Sequence, residues 1–280
     1  MRWWCSALDA PWTWQWQPYP GVWLFVLAIG GVYAWAVRRL EPSRLAGDDR
    51  PTAPRDVVFF LLGLLALWIA ADWPLGALAA GYLLSVKTVQ YLLLAYVAPG
   101  LMLLGMPRWL LRRLIRGRVA FRVAKALSRP LLPLAIANGV LVATHLPVVV
   151  DGVSGSQLGT FLLDVAVIGS GFAFWWPALA LLPELGPLSY GARIGYLGLN
   201  VFVPTVPASF FTFSQYPIYA LYELAPRVGG ISAIADQRAA GMVMKLAGGA
   251  LLFGTMSVMF FRWYRQEAAA DPDAAVQLPG

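Results

Sequence analysis

The chain has 280 residues, of which 59% are hydrophobic and only 12% charged, with 13 tryptophans and a formal net charge of +7. This balance is not that of a soluble domain, and the basic residues stand between apolar runs, where they set orientation in a bilayer, so the positive charge does not signify nucleic-acid binding. A single cysteine, Cys5, excludes an intrachain disulfide and a Cys-x-x-Cys metal or redox site.

The first segment carries Trp3, Trp4, Trp12, Trp14 and Trp16, which read as interfacial anchors, and it lacks the basic, apolar, small-residue order of a cleaved signal. Seven apolar runs follow, over residues 19–37, 57–71, 75–104, 131–150, 157–182, 190–213 and 239–263. Most approach the roughly 20 residues that a membrane-crossing helix needs. In lipid every backbone polar group must be satisfied inside its own segment, and these lengths suit helices rather than barrel strands. The expectation is therefore an all-α polytopic membrane protein: one seven-helix transmembrane domain over 1–266, followed by a disordered cytoplasmic tail over 267–280, rich in Ala, Asp and Pro.

Charge asymmetry between the runs predicts the orientation. Arg38, Arg39, Arg44, Arg50 and Arg55 follow the first run, the stretch from Arg108 to Arg129 follows the third, and Arg262 and Arg265 close the last. The alternate connections carry Asp72, Asp151, Glu223 and Asp236 instead. This pattern places the amino terminus outside and the carboxyl terminus in the cytoplasm. Arg108, Arg112 and Arg116 recur every four residues with Leu110, Leu111, Leu114 and Ile115 between them, which reads as an amphipathic surface helix held by anionic membrane lipid, with partner docking as the other reading. Trp175-Trp176-Pro177 reads as an interfacial belt and helix break, and Pro204 and Pro207 as a kink whose freed carbonyls Asn200 can meet. No internal repeat marks an inverted-repeat transporter.

Polar residues inside the runs are the candidate functional groups, because each is costly in hydrocarbon. Lys87 lies in the third run with Gln90 and Tyr91 on nearby helical positions, Asp164 in the fifth and Lys245 in the seventh, at similar depths. Three readings of them stay open: a structural ion-pair cluster locking three helices, a proton or anion site, and lysines that snorkel to the interface. His145, the single histidine, sits near the outer end of the fourth run, and Asp236 and Gln237 stand just before the seventh, where a carboxylate caps a helix amino end. Met242 and Met244 are either packing or soft Cu(I) ligands.

Several pieces, in order, resemble the CtaG family of bacterial cytochrome c oxidase assembly factors: Val86-Lys-Thr-Val-Gln-Tyr-Leu-Leu-Leu94 with Ala98-Pro-Gly100, Thr144-His-Leu-Pro147 with Asp151, Phe174-Trp-Trp-Pro177, Phe213-Ser-Gln-Tyr-Pro-Ile-Tyr219, and Asp236-Gln-Arg-Ala-Ala-Gly-Met-Val-Met244. The resemblance implies seven helices in the bacterial inner membrane, a role in forming a haem-copper oxidase, oxidase subunits or another membrane complex as partners, and copper as the metal handled. It also implies a His-Met-x-Gln-His motif in the third span, where this chain has Lys87, Thr88, Gln90 and Tyr91. A protonated lysine has no lone pair for a metal. The implied metal ligands reduce to His145 and Met244, within a polar cluster of Lys87, Tyr91, His145, Asp164, Asp236, Gln237 and Lys245.

Two functions remain open on these grounds: an assembly factor with copper handling in doubt, and a permanent non-catalytic accessory subunit of a respiratory or other membrane complex. No enzyme is expected, since the one histidine has no serine or cysteine partner in sequence and no phosphate-binding glycine loop is present. A retinal protein is disfavoured by the position of Lys245, near the outer end of its run, and by a lysine in the third run where a carboxylate counter-ion would be needed.

Overall fold

The computed structural model describes residues 2–7, 9–41 and 49–270, so Arg44 and residues 271–280 of the expected tail lie outside the described residues. Among the described residues the secondary structure is entirely helical. Helices α1 (Pro20–Leu40) and α2 (Pro54–Ala71) both open on a proline, whose missing N–H is no loss in a first turn. Short α3 (Leu75–Gly81) leads into α4 (Leu84–Leu92), which widens into a π turn over Leu93–Val97 and continues as α5 (Ala98–Leu104). Then come α6 (Arg108–Leu114), α7 (Arg118–Leu127), α8 (Leu131–Thr144), α9 (Pro147–Val153) and α10 (Gln157–Leu179). After a 3-10 turn at Pro183–Leu185, α11 (Tyr190–Phe213), α12 (Ala220–Leu224) and α13 (Ala233–Ala270) complete the chain.

Among the described residues six segments are long and apolar enough to cross a membrane: α1, α2, α4 through α5, α10, α11 and α13. A seventh exists if α7 and α8, bent by 81° at their junction, count as one span. The chain is thus a multi-pass helical membrane protein, with the third and fourth expected spans built differently from the reading above. The third does not begin at residue 75 as one helix, because Leu83 is extended and separates α3 from α4. The fourth is interrupted: α8 stops at Thr144 and Pro147 starts α9, which leaves α8 with 14 residues, about 21 Å of helix.

The span from α4 to α5 is the most buried of the six and touches α2, α3, α10 and α13. Pro99 has no N–H to give to the carbonyl four residues back, and the π turn just before it takes up that break. Trp175 of α10 closes the region by donating its indole N–H to the Tyr96 carbonyl at 2.7 Å. A β-carbon at Gly171 would collide with the Ala95 carbonyl, so only glycine lets α10 cross the π turn this closely. Trp175 and Trp176 are therefore helix-to-helix ties rather than a belt, the latter donating to Ala124 and Ser128 at 3.2 and 3.1 Å.

Three further expectations are corrected. The stretch from 108 to 129 is two helices, and Trp109, Leu110 and Leu111 of α6 are buried, so that part packs into the bundle. Helix α13 runs on to Ala270, so residues 267–270 are helical rather than part of a tail. Asn200 does not serve carbonyls freed by Pro204 and Pro207, both inside α11: it donates to the Tyr196 carbonyl at 2.8 Å and accepts from Asn138 at 3.1 Å, a tie to α8.

Candidate functional site

The helix that carries Lys87 is fixed from outside itself. Its first free amides are met by Asp236 of α13, whose carboxylate accepts from the Leu84 N–H at 2.6 Å, from the Ser85 N–H at 3.3 Å and from the Ser85 hydroxyl. Ser232 meets an amide of α13's own first turn, at Ala235, with its side chain at 3.3 Å. Asp236 is thus a cap, as its position suggested, but for α4 rather than for the helix it belongs to. Gln237 beside it accepts from the Ile218 N–H at 2.8 Å and donates to the Tyr216 carbonyl at 3.3 Å, holding the chain that leaves α11.

Lys87 extends from α4 toward α10. Its ammonium lies 3.6 Å from an Asp164 carboxylate oxygen and donates to Gln90 at 2.9 Å, and Gln90 in turn donates to the Ala70 carbonyl of α2 at 2.9 Å. The second oxygen of Asp164 accepts from the Trp4 indole at 3.0 Å. Trp4 is held there by Gln157, the first residue of α10, whose side-chain oxygen accepts from the backbone N–H of Trp3 at 2.7 Å and of Trp4 at 3.3 Å. Trp4 and Cys5 are almost wholly buried, so residues 2–7 fold into the end of the bundle; Trp14 and Trp16 are exposed, as interfacial anchors are.

His145 ends α8. Its Nδ1 lies 2.8 Å from the Leu141 carbonyl and donates to it, which leaves Nε2 as the lone-pair nitrogen, and its ring meets Tyr91 edge to face at 5.1 Å. Tyr219 donates to the His145 carbonyl at 2.8 Å, and Asp151 accepts from the Leu221 N–H at 3.0 Å to cap α12. Lys87, Tyr91, His145 and Asp164 line one cavity of about 30 Å³. That is room for about one water molecule.

Four of the expected members do not border that cavity: Asp236 and Gln237, which hold α4 and the chain after α11, and Lys245 and Met244. Lys245 is exposed and, among the described residues, has neither a hydrogen bond nor an ion pair, so the three-charge cluster is a two-charge pair. It lies on the side of α13 where snorkelling, one of the three readings, is available. Met244 is buried but lines a separate groove with Lys245, and Tyr91 is the one cluster residue that borders both spaces. Trp4, expected as an interfacial anchor, is instead a buried donor to Asp164, and Gln157, which no sequence signal singled out, holds it there; the one hint was the aromatic richness of the amino-terminal segment.

These residues do not fit a copper centre. His145 offers one nitrogen, Lys87 brings a cation to the same cavity, and Met244 borders a different one. Burial pushes the Cys5 thiol well above its ordinary value, and its sulfur lies 3.2 Å from the Ala71 carbonyl, so no thiolate is offered. Among the described residues no three His, Cys, Asp or Glu side chains are grouped to hold a metal.

Comparison with known families brings a match over residues 31–266 to the family model described as cytochrome c oxidase caa3 assembly factor, Caa3_CtaG. Neither the curated proteins nor the solved structures gave a match.

Proposed function

Since the chain belongs to the family of cytochrome c oxidase caa3 assembly factors, we propose that it serves the maturation of a haem-copper oxidase as a non-catalytic membrane scaffold that holds no resident copper. The observation that carries the second half of this reading is the Lys87–Asp164 pair, 3.6 Å apart, at the position where the family resemblance implies imidazole ligands. An ion pair satisfied by Gln90 and Trp4 locks α4, α10 and the amino-terminal segment together, which suits a surface kept rigid for a partner. In this reading the bundle end formed by residues 2–7, Asp151 and Asp236 faces the periplasm of a bacterial inner membrane, which the arginine-rich connections at the other end support.

The test is deletion of the gene and complementation. Oxidase activity and oxidase-bound copper fall while subunit transcripts stay level, and both wild type and His145→Ala restore them. Unchanged oxidase after deletion overturns the assembly role, and failure of His145→Ala with a folded protein overturns the metal-free part. Stoichiometric co-purification with mature oxidase in mild detergent makes the chain a permanent accessory subunit instead.

A further inference from the structure

A larger opening than the Lys87 cavity, about 360 Å³, runs between α4, α11 and α13. Its walls are apolar, with Leu92 on one side, Val201 on the second and Leu252 on the third. Its floor is bare because α13 has Gly248 and Gly249 there: a β-carbon on the first would reach only Leu92, at 3.4 Å, and on the second only Phe253, at 4.0 Å. From Lys245 to Phe253 the groove follows α13 for eight residues, about 12 Å.

Lys245 stands at the end of the groove nearer Asp236, twelve residues into α13 and followed by an apolar run. It is exposed and without an internal counter-charge among the described residues. A cation on a lipid-facing helix surface below the interface is costly unless it reaches a headgroup or meets an anion. One end of the groove therefore asks for negative charge and the rest for hydrocarbon.

We propose that the groove binds a phospholipid with an anionic headgroup, its phosphate against Lys245 and one acyl chain laid over Gly248 and Gly249. A neutral prenyl chain leaves Lys245 unpaired. The volume is that of a small-ligand site. The assignment uses nothing from the Lys87–Asp164 pair, so it stands or falls separately from the scaffold reading.

The test is native mass spectrometry of the purified full chain released from mixed micelles of phosphatidylglycerol and phosphatidylcholine with identical acyl chains. Wild type and Lys245→Arg retain one phosphatidylglycerol with a preference about fivefold above that of Lys245→Gln, the size expected of one lysine near an anionic headgroup. Gly249→Leu, which puts a side chain into the groove, lowers retention of both lipids. Arginines at the other end attract anionic lipid in every variant, so the difference between variants is what counts. Equal preference in wild type and Lys245→Gln overturns the proposal, as does displacement of the bound lipid by a neutral prenyl quinone equally from both. Lys245 is exposed, so its two variants decide the matter even where Gly249→Leu does not fold.

Discussion

The indole N–H of Trp4 donates to the carboxylate of Asp164 at 3.0 Å, although 160 residues separate them. The contact makes the amino-terminal segment part of the site: Asp164 is buried, and its two oxygens divide between Trp4 and Lys87. Trp4→Phe keeps an aromatic ring beside Phe161 and Phe25 but removes the donor together with part of the buried bicycle, so the packing loss adds to the loss of the hydrogen bond. The hydrogen-bond part is expected to cost about 1–3 kcal/mol, the penalty for leaving a buried acceptor short. Trp3→Phe, at a more exposed ring, serves as the control, and a melting temperature in detergent that falls no further for Trp4→Phe than for Trp3→Phe rules out this role.

Lys87→Leu removes the cation and leaves Asp164 a buried charge with one donor. Breaking one side of such a pair costs about 3–5 kcal/mol, whereas replacing both sides by apolar groups is near neutral. The single variant is therefore expected to be strongly destabilised, and Lys87→Leu with Asp164→Leu to recover most of the loss. Lys245 cannot compensate, since it is exposed on α13 and unpaired among the described residues, so Lys245→Leu is expected to lose no stability. Thermal unfolding of all four proteins in one detergent checks the pattern, and equal stability of Lys87→Leu and wild type contradicts it.

Much of this arrangement was legible in the sequence, and the limits were physical. Hydropathy identified the apolar runs and rarity of charge singled out Lys87 and Asp164, because hydrocarbon penalises both errors heavily. Depth along a helix was readable for Lys245 but facing was not: a 1.5 Å rise gives height, while only packing against α4 and α11 decides which side of α13 turns outward. The break at Leu83 was invisible for a related reason. Its capping carboxylate comes from Asp236, 152 residues beyond Leu84, and local helix signals do not report a cap supplied from another helix.

That trans cap is itself testable. Asp236→Ala removes the acceptor for the Leu84 and Ser85 amides, and the loss of a cap costs about 0.5–2 kcal/mol. Hydrogen exchange is expected to rise first at Leu84 and Ser85, with α13's own first turn unchanged because Ser232 serves it. Faster exchange in α13 with α4 unaffected shows the cap to be local instead.

At the opposite end, Arg112 of α6 joins Asp49 to Glu184 in the 3-10 turn, with the Glu184 contact at 2.7 Å. That hydrogen bond holds the Glu184 carboxyl below the ordinary glutamate range. A carboxyl lowered in the folded state adds stability that is full above its unfolded value, about 4.3, and is lost as pH falls through the lower folded value. Wild type is expected to exceed Glu184→Gln by a constant small margin above about pH 5, shrinking below pH 4 and shrinking also in high salt, since the pair is partly exposed. A margin that grows on acidification has the wrong sign for this pair.

The positions where the family resemblance implies imidazoles allow a converse experiment. Residues 87 and 91 are four apart on α4, so their side chains share one face, and both border the cavity that His145 borders. Lys87→His with Tyr91→His removes the cation and places three imidazoles around that space, a donor set suited to copper. After exposure to Cu(I) and dialysis, the double variant is expected to retain about one equivalent and wild type none, because a protonated lysine gives no lone pair. Adding His145→Ala to the double variant should release the metal. Copper held equally by wild type and the double variant means that the present residues already coordinate it, which defeats the metal-free scaffold. Copper held by neither, with the double variant shown folded by its thermal transition, means that positions 87, 91 and 145 do not converge closely enough for one ion.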